Sequence, residues 1–419
     1  MSEFANANIP VDVIIFGGGT SGLWLLDELT RRGWRSVLLE AHALGAGQTV
    51  HAQGIIHGGL KYTLRGGMTD SAKAIREMPQ IWRECLAGQR EPNLARVAVR
   101  APWCALWRTG ALRSRLGMVG ARAGLRVAPQ RLDAIDRPSV LASCPGDVLR
   151  LDEQVIEPRS FVEVLAARHH DRILKIDADA GMQITQRHTG GVTVLLANPD
   201  RQGETMTLEA TTAVLTAGAG NETLRGMLRL PAGRTQRRPL HTAVVRGRLP
   251  VLNGHCVDGK ATRLTVTTQP AGHENIWQLG GMIAEKGINS TTQQLVRHAR
   301  AEAEACLPGI DLTGMRWSSY FSVRAEPLTE SGKRPDHALA MREGDVITAW
   351  PAKLALAPDL AERIITMLPA PNHTGDSKGH SKSSSDIAND DTAKWSHWPR
   401  PSVANYPWDE PETPWCDDV

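Results

Sequence analysis

The feature that most constrains this chain is a set of three glycines between two apolar runs near its start. Gly17, Gly19 and Gly22 spell G-x-G-x-x-G directly after the apolar run 11–16. A helical pattern over 20–32 follows, with Leu23, Leu26 and Leu29 at helical spacing and Gly33 suited to end it, and then a second apolar run over 36–40. Short continuous apolar runs flanking a helix predict a βαβ unit whose parallel strands are covered on both faces. The glycine spacing has a mechanism. The first two allow a tight turn and the close approach of a pyrophosphate to the backbone, the third lets strand and helix pack closely, and Thr20 and Ser21 open the helix between them. Glu40, closing the second run, stands where an acidic side chain accepts hydrogen bonds from an adenosine ribose. The pattern predicts dinucleotide binding and leaves FAD and NAD undecided.

Composition narrows the class. A chain of 419 residues is too long for one ordinary core, so two or three units are expected. The 48 Lys and Arg against 45 Asp and Glu leave a net charge of +3, too balanced to point to nucleic acid. The 6 cysteines include no Cys-x-x-Cys, and no paired His-x-His spacing occurs, so no metal site is expected from local motifs. Reduced thiols, an N-terminus without the basic and apolar regions of a signal peptide, and no apolar run of roughly 18 to 20 residues suggest a cytoplasmic protein.

Further along, residues 96–131 are rich in arginine and contain Trp103 and Trp107 beside Leu112, Leu116 and Met118. Two roles fit this stretch: a solvated basic face, or an interfacial segment making peripheral contact with the inner face of a membrane. Pro158 suits the first turn of a helix, 213–220 reads as a buried strand and glycine turn, and 236–320 alternates strands with one helix. A strand at 346–350 precedes a helix over 354–367, after which Pro, Ser, Asp and Asn predominate and predict a disordered tail. The tail's Trp395, Trp398, Trp408 and Trp415 could dock on its own domain or on a partner.

Residues 45–62, GAGQTVHAQGIIHGGLKY, resemble the second FAD-contacting loop of the D-amino-acid-oxidase superfamily. Gln48, Thr49, His51, Gly54, Ile56, His57 and Gly59 resemble the loop of L-2-hydroxyglutarate oxidases, and the run from Ile56 to Leu60 with Tyr62 resembles that of FAD-dependent glycerol-3-phosphate dehydrogenases. The resemblance extends through 151–165, 214–220, Val323-Arg324, Arg334-Pro335-Asp336 and 346–363, departing where Trp350-Pro351-Ala352-Lys353 replaces the usual Gly-Gly-Lys.

This resemblance implies an α/β fold, with a Rossmann-like FAD-binding domain of non-contiguous segments (GR2-type) and an α+β substrate domain on a mixed or antiparallel sheet. Residues 1–90, 151–230 and 323–368 would form the FAD-binding domain, 91–150 the basic insertion and part of the substrate domain, 231–322 the substrate domain, and 369–419 the disordered tail. Its cofactor contacts would come from Gly17, Gly19, Gly22, Thr20, Ser21, Glu40, Thr49, His51, Gly54, Ile56, Gly58, Gly218, Ala352 and Leu354. His51 also aligns where some relatives attach the flavin covalently, although Val50 replaces their tryptophan.

The implied activity is transfer of a hydride from a small anionic 2-hydroxy acid or polyol phosphate to flavin, with oxygen, a quinone or an electron-transfer protein as acceptor. Lys353 would stabilise the reduced ring, and Arg324 would grip the substrate anion, with Lys61 and Arg65 as second choices. His57 would either take the substrate proton or hold its own loop by hydrogen bonds to backbone. Tyr62 and Tyr320 would border the pocket or fill the core. Amine or amino-acid oxidation on the same fold, and a flavin-bearing interaction subunit acting through its tail, are the competing readings.

Overall fold

The computed structural model describes residues 8–58, 70–110, 129–258, 261–330, 332, 335, 337–371 and 392–417. The chain divides into two compact units. One is Met1–Thr49, Phe161–Arg237 and Ala325–Ala404; the other is Val50–Ser160, Arg238–Arg324 and Asn405–Val419.

In the first unit the apolar runs become an eight-stranded sheet. Its parallel part runs, in spatial order, Val346–Trp350, Thr205–Leu215, Asn8–Phe16, Ser36–Glu40 and Ile173–Lys175. Leu339–Glu343 is antiparallel at one edge, and the hairpin Met182–Gln186 and Val192–Ala197 pairs antiparallel to the first half of Thr205–Leu215. Val13, Ile14, Ile15, Val37 and Leu38 are all at most 1% exposed, as a parallel sheet covered on both faces requires. The helix Thr20–Arg31 connects the first two parallel strands and buries Leu23, Leu25, Leu26 and Leu29.

That helix carries one buried charge. Asp27 is inaccessible to solvent and accepts hydrogen bonds from Arg31 Nε at 2.7 Å, Arg168 Nη1 at 2.7 Å and His169 Nε2 at 2.9 Å. Arg168 and His169 lie at and just beyond the end of the helix Pro158–Arg168, so one carboxylate joins two helices. Burial pushes the Asp27 carboxyl up, but His169, Arg31 and Arg168 outweigh burial and bring it down to about 2.

The second unit is built on a nine-stranded sheet in the order Cys416–Asp417, Arg316–Pro327, Thr235–Gly247, Glu274–Gly280, Ala261–Ala271, Gly254–Asp258, Cys104–Arg108, Val148–Leu151 and Gln130–Arg131. Among its registered pairs only Gly254–Asp258 with Cys104–Arg108 is parallel, which makes the sheet mixed and mostly antiparallel. The helix Thr292–Cys306 covers one face through Leu295, Val296, Ala299 and Ala303, and starts at a capping box of Thr291 and Gln294.

Three expectations are corrected. The units change at 49/50, 160/161, 237/238, 324/325 and 404/405, not at the 90, 150, 230, 322 and 368 implied by the resemblance, because strand pairing decides where a segment belongs. Residues 392–417 are folded, not a disordered tail: Trp395 and Trp398 pack in the first unit's core and donate to the carbonyls of Asp171 and Lys175, while Tyr406 and Trp408 are buried in the second. These aromatics are the apolar surface a docking segment needs. Trp107 is a core residue donating to the Cys306 carbonyl, so it offers nothing to a membrane, and Leu112, Leu116 and Met118 lie outside the described residues. Among the described residues no helix is long and apolar enough to cross a membrane.

Asp27→Asn leaves three donors facing a neutral amide in a dry site and is expected to cost about 3 kcal/mol in urea unfolding at pH 7. Because folding depresses this carboxyl, its contribution is complete above its ordinary value of 3.8 and fades as pH falls through about 2. The wild-type advantage should therefore shrink only in strong acid.

Candidate active site

The glycine turn of the first unit is shaped by backbone contacts that exclude side chains. Gly17 has φ +102°, and a Cβ there would lie 2.6 Å from Ala217 Cα. A Cβ on Gly22 would lie 2.0 Å from the Gly17 carbonyl oxygen. Gly19 is the N-cap of Thr20–Arg31, and its lack of a side chain leaves the first helical turn without a side-chain cap of its own. Thr49 approaches from outside: its Oγ1 accepts from Thr20 N at 3.1 Å and Thr20 Oγ1 at 3.2 Å. Glu40 reaches back from the end of its strand, with Oε2 accepting from Gly18 N at 2.6 Å. Ser21 Oγ is buried with no hydrogen-bond partner.

Two further turns complete this arrangement. Gly218 follows the strand Thr205–Leu215 at φ +56°, with its ideal Cβ position 3.5 Å from Gln48 Oε1, and Asn221 ties the turn to Val346–Trp350 by accepting from Ala217 N and donating to the Ala349 carbonyl. After Trp350 the chain turns sharply at Ala352, a non-glycine residue at φ +58°. Lys353 then caps the short 3-10 turn Leu354–Leu356, and the α-helix begins only at Ala357. The expectation of a helix over 354–367 is corrected at its start: Pro358 suits the first turn of a helix beginning at Ala357.

In the second unit, register alone creates a second cluster. The loop from Gly54 to Ile56 runs antiparallel to Gln154–Ile156: Ile156 N donates to the Gly54 carbonyl, Ile55 bridges Val155, and Ile56 N donates to the Gln154 carbonyl. Gly54 has φ +76°, and a Cβ there would meet the Ile156 carbonyl at 2.1 Å. One step further the register sets His57 opposite Glu153, with Nδ1 3.5 Å from Oε2. Gly58 N donates to the other carboxylate oxygen at 2.6 Å.

The strand Gly254–Asp258 brings in His255, whose Nε2 lies 3.7 Å from the same Oε2 and whose Nδ1 shares a 2.9 Å hydrogen bond with Thr265 Oγ1, its cross-strand neighbour. One ligand-type atom from each of His57, Glu153 and His255 falls within 4.8 Å of the others, a convergence that no local spacing announced. Burial pushes the Glu153 carboxyl up, but the two imidazoles outweigh it and hold it well below the usual carboxylate range.

A row of polar side chains continues over the sheet. Gln53 Nε2 donates to the Gln278 carbonyl at 3.0 Å, in space left by Gly280, whose Cβ would stand 2.4 Å from Gln53 Oε1. Gln278 donates to Tyr320 Oη, and Tyr320 donates to the His51 carbonyl at 3.0 Å. Burial pushes the Tyr320 phenol up to about 12, so it stays a donor. Burial takes His51 down to about 4, so its ring is neutral at pH 7. Alternation along Arg316–Pro327 turns Tyr320, Ser322 and Arg324 to one face, and the Arg324 guanidinium is 3.8 Å from Glu285. Gly59, Lys61, Tyr62, Arg65, Arg334 and Asp336 lie outside the described residues.

Residues 12–346 match the family described as DAO, FAD dependent oxidoreductase. The chain belongs to the DAO family. It is 37% identical over 366 residues to the probable FAD-dependent oxidoreductase PA4991 of Pseudomonas aeruginosa, covering 86% of this chain and 91% of that protein. The crystal structure of PA4991 superposes with a TM-score of 0.75 at 32% identity, over 96% of this chain and 98% of that one. L-alpha-glycerophosphate oxidase from Mycoplasma pneumoniae (TM-score 0.61, 15% identity, 86% and 94% covered) and glycine oxidase from Geobacillus kaustophilus (TM-score 0.61, 16% identity, 88% and 100% covered) share the fold.

As a DAO-family protein the chain is an FAD-dependent oxidoreductase, and the first unit fits that cofactor. The glycine turn at Gly17 to Gly19 and the start of Thr20–Arg31 suit a pyrophosphate, Glu40 suits a ribose, and Ser21 offers a buried hydroxyl still to be partnered. Gly22→Ala drives a methyl group into the Gly17 carbonyl and must open the turn. Purified Gly22→Ala protein is expected to lose at least tenfold in FAD affinity, read as flavin absorbance retained through gel filtration; wild-type retention would refute the fit.

Proposed function

We propose that this FAD-dependent oxidoreductase oxidises the C–H bond of a small anionic alcohol, a 2-hydroxy acid or a polyol phosphate, with His57 as base and Arg324 as anion anchor. The observation that supports this reading best is His57 beside the buried Glu153 carboxylate. An alcohol cannot surrender a hydride without shedding its O–H proton, whereas a neutral amine already carries a lone pair that can form the new double bond. An imidazole with an anion behind it is suited to the former task.

FAD, when bound, would supply the two-electron acceptor for the hydride. His57 takes the hydroxyl proton as the carbonyl forms. Arg324, largely buried on the face that also carries Tyr320 and Ser322, offers a planar fork matched to carboxylate or phosphate oxygens. Tyr320 and Gln278 supply neutral polar contacts, and His51, kept neutral by burial, adds no competing charge. Lys353 takes the role of a cation favouring the reduced cofactor. The final electron acceptor would be oxygen, a quinone or an electron-transfer protein.

Arg324→Ala is expected to raise KM for glycerol 3-phosphate or a 2-hydroxy acid about a hundredfold, with kcat changed much less, in steady-state turnover. Unchanged KM would remove Arg324 from the anchor role.

A further inference from the structure

We propose that Glu153, with His255 behind it, is a positioning residue for His57: it fixes the orientation of the His57 ring and balances the positive charge that His57 acquires on taking a proton. This rests on the reading of His57 as the base and assigns that site two residues from distant segments.

The geometry is graded from solvent inward. The His57 side chain is 38% exposed, that of Glu153 3% and that of His255 6%, so His57 meets solvent and the carboxylate and second imidazole lie behind it. Glu153 is held through one oxygen. Its Oε1 takes the Gly58 N–H, which pins the carboxylate to the residue adjoining His57, and its buried Oε2 accepts no hydrogen bond but faces Nδ1 of His57 and Nε2 of His255. With Nδ1 turned to the carboxylate, the proton-accepting atom of His57 is Nε2, on the far side of the ring.

A carboxylate this deeply buried is costly without polar partners, and the two imidazoles facing Oε2 are placed to serve as them. The ring centroids of His57 and His255 are 5.6 Å apart, with Oε2 between them. Thr265 holds His255 from the other side. Among the described residues the titratable groups facing Glu153 are His57, His255 and Cys104, and burial keeps the Cys104 thiol protonated. A buried acid behind an exposed imidazole is the arrangement by which hydrolytic triads hold a histidine in one tautomer and stabilise its protonated form.

The test is histidine-selective NMR of the FAD-loaded full chain, with the His57 signals assigned by their loss in His57→Asn. In Glu153→Gln the His57 titration is expected to move down by about one pH unit or more, because the neutral amide no longer favours the charged ring. Anaerobic reduction by glycerol 3-phosphate or a 2-hydroxy acid should slow about 10² to 10³-fold, with the substrate concentration for half-maximal rate nearly unchanged. Glu153→Asp, which keeps the charge, should recover part of the rate; should the amide variant fail to fold or to hold FAD, the titration shift is read in Glu153→Asp and His255→Asn instead.

A folded, FAD-loaded Glu153→Gln protein with an unmoved His57 titration overturns the inference. So does one equivalent of zinc retained by the purified wild type and lost in Glu153→Gln. If His57→Asn reduces as fast as the wild type, the assignment of His57 as base fails, whereas a coupled titration beside that result would leave the pairing of Glu153 and His57 intact.

Discussion

Two backbone approaches that admit no side chain underlie the cofactor-facing part of this protein. Gly17 passes against Ala217 at the end of the neighbouring parallel strand, and Gly22 lies against the Gly17 carbonyl. These contacts set how closely Asn8–Phe16, Thr205–Leu215 and Thr20–Arg31 meet, at a helix start where Gly19 adds no side-chain cap. A Cβ at Gly17 would collide with Ala217, and one at Gly22 would push the helix off the Gly17 carbonyl. The rest of the unit fits around this turn: Glu40 folds back to it, Thr49 covers one flank, and Asn221 fixes the adjoining turn to Val346–Trp350.

The second unit meets a different constraint, the burial of polar groups. A polar row from Tyr320 through Gln278, Thr267 and Thr265 to His255 and Glu153 is costly in a core unless its members satisfy one another. Gln53 spans part of the row because Gly280 leaves it room. A polar face maintained at that cost suits a small polar substrate, and the Glu153 carboxylate stands behind the imidazole on the same loop as Gln53.

How much of this was legible beforehand follows from the range of the interactions involved. The βαβ unit and Glu40 were readable because the glycine spacing, the apolar runs and the acidic residue all act within thirty residues of one another. The 45–62 string was readable as a family resemblance. Glu153 and His255 were not, because their meaning lies in register: Gly54 pairs with Ile156 and His255 with Thr265, and only those pairings bring the two groups to His57. Nothing local separates Glu153 from Asp152, which pairs instead with Arg83. The final segment misled for a related reason. Its composition is that of a disordered chain, yet four aromatic side chains at Trp395, Trp398, Tyr406 and Trp408 suffice to fold it down.

The family fixes FAD chemistry, the first unit supplies a turn shaped for the cofactor, and the second supplies an imidazole backed by a buried acid. The proposed oxidation of an anionic alcohol rather than an amine rests on that imidazole. The most direct test is anaerobic addition of glycerol 3-phosphate, 2-hydroxy acids and N-methyl amino acids to the FAD-loaded protein while the flavin absorbance is followed. The account predicts bleaching by a member of the first two classes. Bleaching by N-methyl amino acids alone would contradict it.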